Sequence, residues 1–122
     1  MDEYRFGDYI KEKRNSRGIT LRKFVSMIEC SAPHLSDIEN NRRNPFDLDR
    51  LQLIADLLNF SDSEKEQMFD LAGKARDNVA PDLPDYIKDR DYVSAALRTA
   101  RDVGAGEEEW LKFMEDLRRR KG

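Results

Sequence analysis

Apolar residues recur along this chain at spacings of three and four, and strict alternation of apolar and polar positions is nearly absent. A period near 3.6 marks an amphipathic helix and a period of two marks a strand, so the pattern predicts an all-α fold. The first stripe is Phe6, Tyr9 and Ile10, extended by the stem of Lys13, and Gly18 ends that helix by supplying a left-handed residue. A second helix opens at once. Thr20 is its N-cap, Ile19 staples onto Phe24, and Phe24, Val25 and Ile28 are its apolar positions. Cys30 and Ser31 repeat the arrangement: Ser31 caps, Cys30 staples onto Leu35, and Pro33 falls in the first turn, where its missing N–H does little harm. About three residues separate the second helix from the third, the length of a helix-turn-helix corner.

Asn41 follows the third helix where a left-handed residue is needed, and Pro45 closes the loop. Leu48, Leu51, Ile54, Ala55 and Leu58 form a fourth amphipathic helix. The capping box SDSE at 61–64 opens a fifth, with Met68, Leu71, Ala72 and Ala75 inward. DNVAPDLPD at 77–85 then interrupts the pattern with two prolines. The expected organisation is a five-helix domain over 1–77, a linker over 78–85 and a short helical segment over 86–122. Within that segment Val93, Ala96, Leu97 and Ala100 mark one helix, stopped by GAG at 104–106. The last helix carries Glu107, Glu108 and Glu109 at its positive end and RRRK at its negative end. Its stripe of Trp110, Phe113, Met114 and Leu117 is a face for dimerisation or for a partner, or else packs within the chain.

Composition narrows the class. Of 122 residues, 39% are charged and 39% apolar, and no apolar run approaches a membrane span. The opening MDEYRFGDYIKEKR lacks the apolar core of a secretory signal, and a single cysteine excludes an internal disulfide; a reducing, cytoplasmic setting is expected. Net charge is −3, and residues 1–60 are neutral. Yet KEKRNSRGITLRK at 11–23 holds six basic residues and one acidic, and NNRRN adds two arginines. Attraction over a Debye length is local, so a neutral domain with concentrated basic stretches can hold phosphates.

The third helix, 31–40, carries the most telling pattern. At 100° per residue Leu35 and Ile38 point inward. Pro33, Ser36, Asp37 and Asn40 face the opposite way, with Ala32 and His34 on the shoulders. Short side chains let a helix enter the major groove, and neighbouring arginines hold phosphates. Other chemistry has little support. Cys30 and His34 lie four apart, but a metal site needs three or four ligands, and there is no second Cys or His. No glycine-rich phosphate loop is present. No metal, cofactor or catalytic residue is expected.

Residues 6–60 resemble the Cro/cI-type helix-turn-helix family, also called the XRE family. The likeness runs through IKEKRNSRGITLRKFV, the turn, HLSDIENNRRNP and LDRLQLIADLLNF. It implies a double-stranded DNA-binding transcriptional regulator, a repressor, whose third helix lies in the major groove. By position, it implies base reading by Ala32, Pro33, His34, Ser36 and Asp37. Backbone contacts fall to Thr20, Arg22, Lys23, Asn40, Arg42 and Arg43. It also implies an ion pair between Arg14 and Glu39. Leu21 stands where the family often has a phosphate-contacting Gln, and Ala32 and Pro33 replace its usual polar readers. The implied partners are DNA and a second copy of the chain. The rival reading is an antitoxin-like module whose C-terminal segment neutralises a partner protein, with a toxin, protease or antirepressor as the kind of partner.

Overall fold

Several of the helices begin on short-range side-chain bonds. The chain is described here by a computed structural model covering residues 3–121. Its elements are α1 (Phe6–Ser16), α2 (Leu21–Ile28), α3 (Ala32–Glu39), α4 (Leu48–Leu57), α5 (Asp62–Ala75), α6 (Pro84–Ile87), α7 (Asp91–Val103) and α8 (Glu107–Lys121). The fold is all-α, with no strand among the described residues. The Thr20 hydroxyl accepts from the Lys23 N–H at 3.1 Å, and Ser31 accepts from the His34 N–H at 3.1 Å. Asp47 does the same for the Arg50 N–H at 3.0 Å. At α5 the bonds are reciprocal: Ser61 N–H donates to Glu64 Oε1 at 2.9 Å, and Glu64 N–H donates to Ser61 Oγ at 3.1 Å. Each satisfies an N–H that the helix itself leaves free. Gly18 ends α1 at φ +66°, and Asn41 turns the chain after α3 at φ +60°.

Two units make up the chain, Met1–Pro84 and Asp85–Gly122. In the first, α1 packs on α3 and α5, and α2 packs on α3 and α4. Phe6, Tyr9, Ile10, Phe24, Ile28, Leu35, Ile38, Leu51, Ile54 and Met68 form its buried centre. Two sequence expectations change here. Ala75 is exposed and Leu71 only half-buried, whereas Phe69 and Gly73 turn inward, so the buried stripe of α5 is rotated from the one expected. The reason is a close approach. A methyl on Gly73 would stand 2.7 Å from the backbone of Val79 and Ala80, so this glycine lets the following chain cross the helix. Ala80 is buried as a result, and part of the stretch expected to be a linker belongs to the first unit. In the second unit no residue of α6, α7 or α8 is buried. Trp110 is 37% exposed, Phe113 53%, and their rings meet edge-on at 6.1 Å.

Glu64 does more than cap. Arg17 Nη2 lies 3.1 Å and Lys13 Nζ 3.2 Å from its Oε2. Arg17 Nε donates to the Leu58 carbonyl at 2.6 Å, its guanidinium covers the Phe60 ring at 5.1 Å, and the Tyr9 hydroxyl donates to the Glu64 carbonyl at 2.9 Å. This cluster joins α1, α5 and the turn between α4 and α5. The Ser61 backbone N–H, then Arg17 and Lys13, hold the Glu64 carboxyl down at about 2. A depressed carboxyl contributes stability above its unfolded value, near 4.3, and loses it as pH falls toward 2. Glu64→Gln keeps the cap acceptor but removes the charge. With the group partly exposed, it is expected to cost about 1–2 kcal/mol at pH 7 and nothing near pH 2. Urea denaturation of both proteins at several pH values checks this; a mutational cost independent of pH from 7 to 2 refutes the charge-based account.

Candidate nucleic-acid interface

The corner between α2 and α3 is residues 29–31, and it depends on one unusual backbone residue. Glu29 adopts a left-handed conformation at φ +53°, and Cys30 N–H then donates to the Val25 carbonyl at 3.2 Å. Ser31 restarts the helix immediately. Cys30 packs partly against the core, and burial pushes its thiol up from the usual range, which keeps it a protonated, small apolar group.

The far end of α3 is fixed by a buried ion pair. Arg14 Nε donates to Glu39 Oε2 at 2.8 Å and Arg14 Nη2 to Oε1 at 2.9 Å, a two-pronged match. Arg14 is 6% exposed and Glu39 3%. The remaining arm, Nη1, donates to the Ile19 carbonyl at 2.7 Å. One guanidinium thus joins α1, the segment before α2 and the last turn of α3. Gly7 completes the docking: its N–H donates to Asn41 Oδ1 at 2.8 Å, and Asn41 Nδ2 reaches Asp8 at 3.3 Å.

With Leu35 and Ile38 buried, α3 exposes Ala32 and Pro33, and Ser36 and Asp37 in part. His34 stands apart. Its ring stacks on buried Phe46 at 5.7 Å with 22° between planes, and so leans toward the loop before α4. Asn40 also turns back, its Nδ2 donating to the Ser36 carbonyl at 2.8 Å. Arg42 and Arg43 are exposed; Arg42 lies 3.9 Å from Asp37, an open pair worth under about 1 kcal/mol. Thr20, Arg22 and Lys23 are exposed at the start of α2. The Thr20 oxygen is engaged as a cap acceptor, but its O–H proton stays free to donate.

The basic run 11–23 needs correction as a single surface. Lys13 and Arg17 are paired with Glu64, and Arg14 is buried against Glu39. Lys11, Arg22 and Lys23 are the exposed cations left in it. The partners that neutralise the others lie 25 to 47 residues away in sequence from the arginines concerned, outside any local charge count. Among the described residues no group of three or more His, Cys, Asp or Glu is placed to hold a metal ion, and no helix is long and apolar enough to cross a membrane.

Two short helices across a three-residue corner, the second with its outer face bare, define the helix-turn-helix class. Comparison with known families agrees: residues 10–65 match the HTH_3 helix-turn-helix family. Among solved structures, a chain of the "SINR PROTEIN/SINI PROTEIN COMPLEX" aligns with a TM-score of 0.48 and 19% identity, over 95% of this chain and 97% of that one. The search of curated proteins gave no significant match.

Proposed function

We propose that this protein is a sequence-specific transcriptional regulator, a repressor, that lays α3 in the major groove of duplex DNA. The observation that carries the reading is the outer face of α3, small and polar, with Arg42 and Arg43 exposed just after the helix and Thr20, Arg22 and Lys23 exposed at the start of α2. Ala32 and Pro33 suit apolar contact with a thymine methyl, and Asp37 can accept from a cytosine amino group. Ser36 donates or accepts. The pose of His34 against Phe46 makes it a reader at the rim, not the centre. Asn40, whose amide nitrogen is turned toward Ser36, is the weakest of the proposed phosphate contacts.

A duplex half-site is short, and a second copy of the chain would supply a second α3 at roughly 34 Å, one helical turn. The half-exposed stripe of Trp110, Phe113, Met114 and Leu117 on α8 supports pairing through the C-terminal unit. Sedimentation equilibrium at tens of micromolar is expected to give a dimer. A monomer, unchanged by operator DNA, refutes pairing and favours a different protein on that face.

The reading is tested on DNA selected from a random duplex library. Replacing Arg42 and Arg43 together by Ala is expected to weaken binding to all sequences alike and to lower the salt slope by about two units, since each lost phosphate contact removes about one. An enriched motif that shifts with Ala32 or Asp37 substitutions would place α3 at the bases. A double mutant with unchanged affinity and slope sinks the assignment.

A further inference from the structure

A cleft of ≈ 570 Å³ opens between the start of α1, the loop after α3 and the last turns of α5. Four cations line it: Arg5, Arg42, Arg43 and Lys74. Glu3 is the one acidic residue in its wall, 3.9 Å from Arg5. Arg43 and Lys74 are exposed and are paired with no carboxylate among the described residues. The rest of the wall mixes the amides of Asn41 and Asn44 with apolar surface from exposed Tyr4, half-buried Leu71, Ala75 and buried Phe6 and Pro45. The framework is held from both sides. Gly7 donates to Asn41 at one end of the loop, and Arg76 Nη2 donates to the Pro45 carbonyl at 2.5 Å at the other. The cleft is therefore a built concavity, and its side chains are not a row of cations on a convex surface.

We propose that this cleft binds a small organic phosphate, the anion held by Arg43 and Lys74 and a compact apolar body resting on Tyr4 and Leu71. Guanidinium and ammonium groups lining one space suit a multiply charged oxyanion, and Tyr4 and Leu71 give the ligand's body an apolar surface to rest on. Arg42 and Arg43 belong both to this cleft and to the proposed DNA contact. An occupied cleft engages the arginines that a duplex phosphate needs, so ligand and DNA exclude each other in part, and by linkage each weakens the other. This coupling rests on the DNA reading above; the binding itself does not.

Direct binding is measured first, without DNA. Phenyl phosphate is titrated into the full chain, followed by amide chemical shifts, with inorganic sulfate at matched ionic strength as the control. Saturable shifts confined to residues 3–6, 41–45 and 71–75 are expected, weaker for sulfate. Lys74→Glu is expected to weaken phenyl phosphate binding about tenfold, the equivalent of about 1.4 kcal/mol. Competition against a selected duplex follows: phenyl phosphate lowers DNA affinity of the wild type, and the Lys74→Glu protein retains DNA affinity within about twofold but loses the competition. Shifts that do not saturate, or that Lys74→Glu leaves unchanged, overturn the site. A Lys74→Glu protein with weakened DNA binding and a salt slope lowered by about one makes the cleft's phosphate that of the duplex and overturns the small-ligand assignment. Failure of all DNA binding in the wild type would strike the function proposed above while leaving the direct titration to stand or fall by itself.

Discussion

Glu39→Ala is expected to cost about 3–5 kcal/mol, because it leaves the Arg14 guanidinium buried without its counter-charge. Arg14 is 6% exposed, and two of its three bonds end on Glu39. Water cannot replace the lost carboxylate without opening the contact between α1 and α3. For a unit of this size each kcal/mol lowers the midpoint by about 4–8 °C, so the variant should melt at least about 12 °C below wild type. Glu39→Gln is the gentler probe. It keeps one acceptor for the fork and should lose clearly less. The pair is then read by a double-mutant cycle with Arg14→Met, which fills the same volume without charge. Arg14→Met alone strands a buried carboxylate and Glu39→Leu alone a buried guanidinium, but the two together strand no charge, so the double variant should be more stable than the sum of these two single losses by at least about 2 kcal/mol. Urea denaturation checks the cycle. Strict additivity would show that the two residues act independently and would remove the pair as the device that fixes the end of α3.

What the sequence made legible follows from the range of each interaction. The caps Thr20, Ser31 and Ser61 act on N–H groups three residues on, and the left-handed turns at Gly18 and Asn41 sit at the ends of their own helices. Such signals need only the local chain, so the helix-turn-helix corner and the outward face of α3 could be read before any tertiary contact was known. The Arg14–Glu39 pair was also expected, but from family resemblance; the charge pattern itself contains no pointer from one residue to the other.

Long-range features were the ones misread. The basic run 11–23 looked like one phosphate-binding surface because Glu64 and Glu39 lie far along the chain, and no window includes them. Periodicity weighs hydrophobicity and so puts the stripe of α5 on Ala75; Gly73 has none, and its value is the space it leaves for Val79 and Ala80. Glu29 gives no sequence sign of its left-handed backbone, since only Gly and Asn commonly mark such a position. Helical angle puts His34 on the shoulder of α3, and what it leaves out is the aromatic surface of Phe46, on which the ring stacks. Nothing in the local sequence singles out Lys74 and Arg5, which are separated from the recognition loop along the chain though all three line one cleft.

Gly7→Ala is the second large effect. Gly7 is buried in the first turn of α1, where that helix meets the end of α3. A methyl there would fall on the Ile38 carbonyl oxygen, 2.6 Å from Asn41 Oδ1 and 2.7 Å from the Glu39 carbonyl oxygen. Two of these atoms are backbone of the recognition helix, so relief requires α1 and α3 to part. Overpacking of a core commonly costs about 1–3 kcal/mol, and obstruction by backbone lies at the upper end of that range or beyond. Alanine's better helix propensity offsets up to about 1 kcal/mol. A net loss of about 2–3 kcal/mol is expected. Gly18→Ala separates crowding from conformation: that site has nothing within 4 Å but sits at φ +66°, so its cost should be only the left-handed penalty of about 1 kcal/mol. The obstruction also acts on function. Moving the end of α3 disturbs Asn41 and the loop that carries Arg42 and Arg43, so a folded Gly7→Ala protein, assayed well below its melting midpoint, should bind its selected duplex more weakly than Gly18→Ala does. Denaturation midpoints and duplex titrations of the two variants decide the matter. A Gly7→Ala protein as stable as wild type would mean that α1 and α3 are not in the close contact described, and the account of how the recognition helix is held would fall with it.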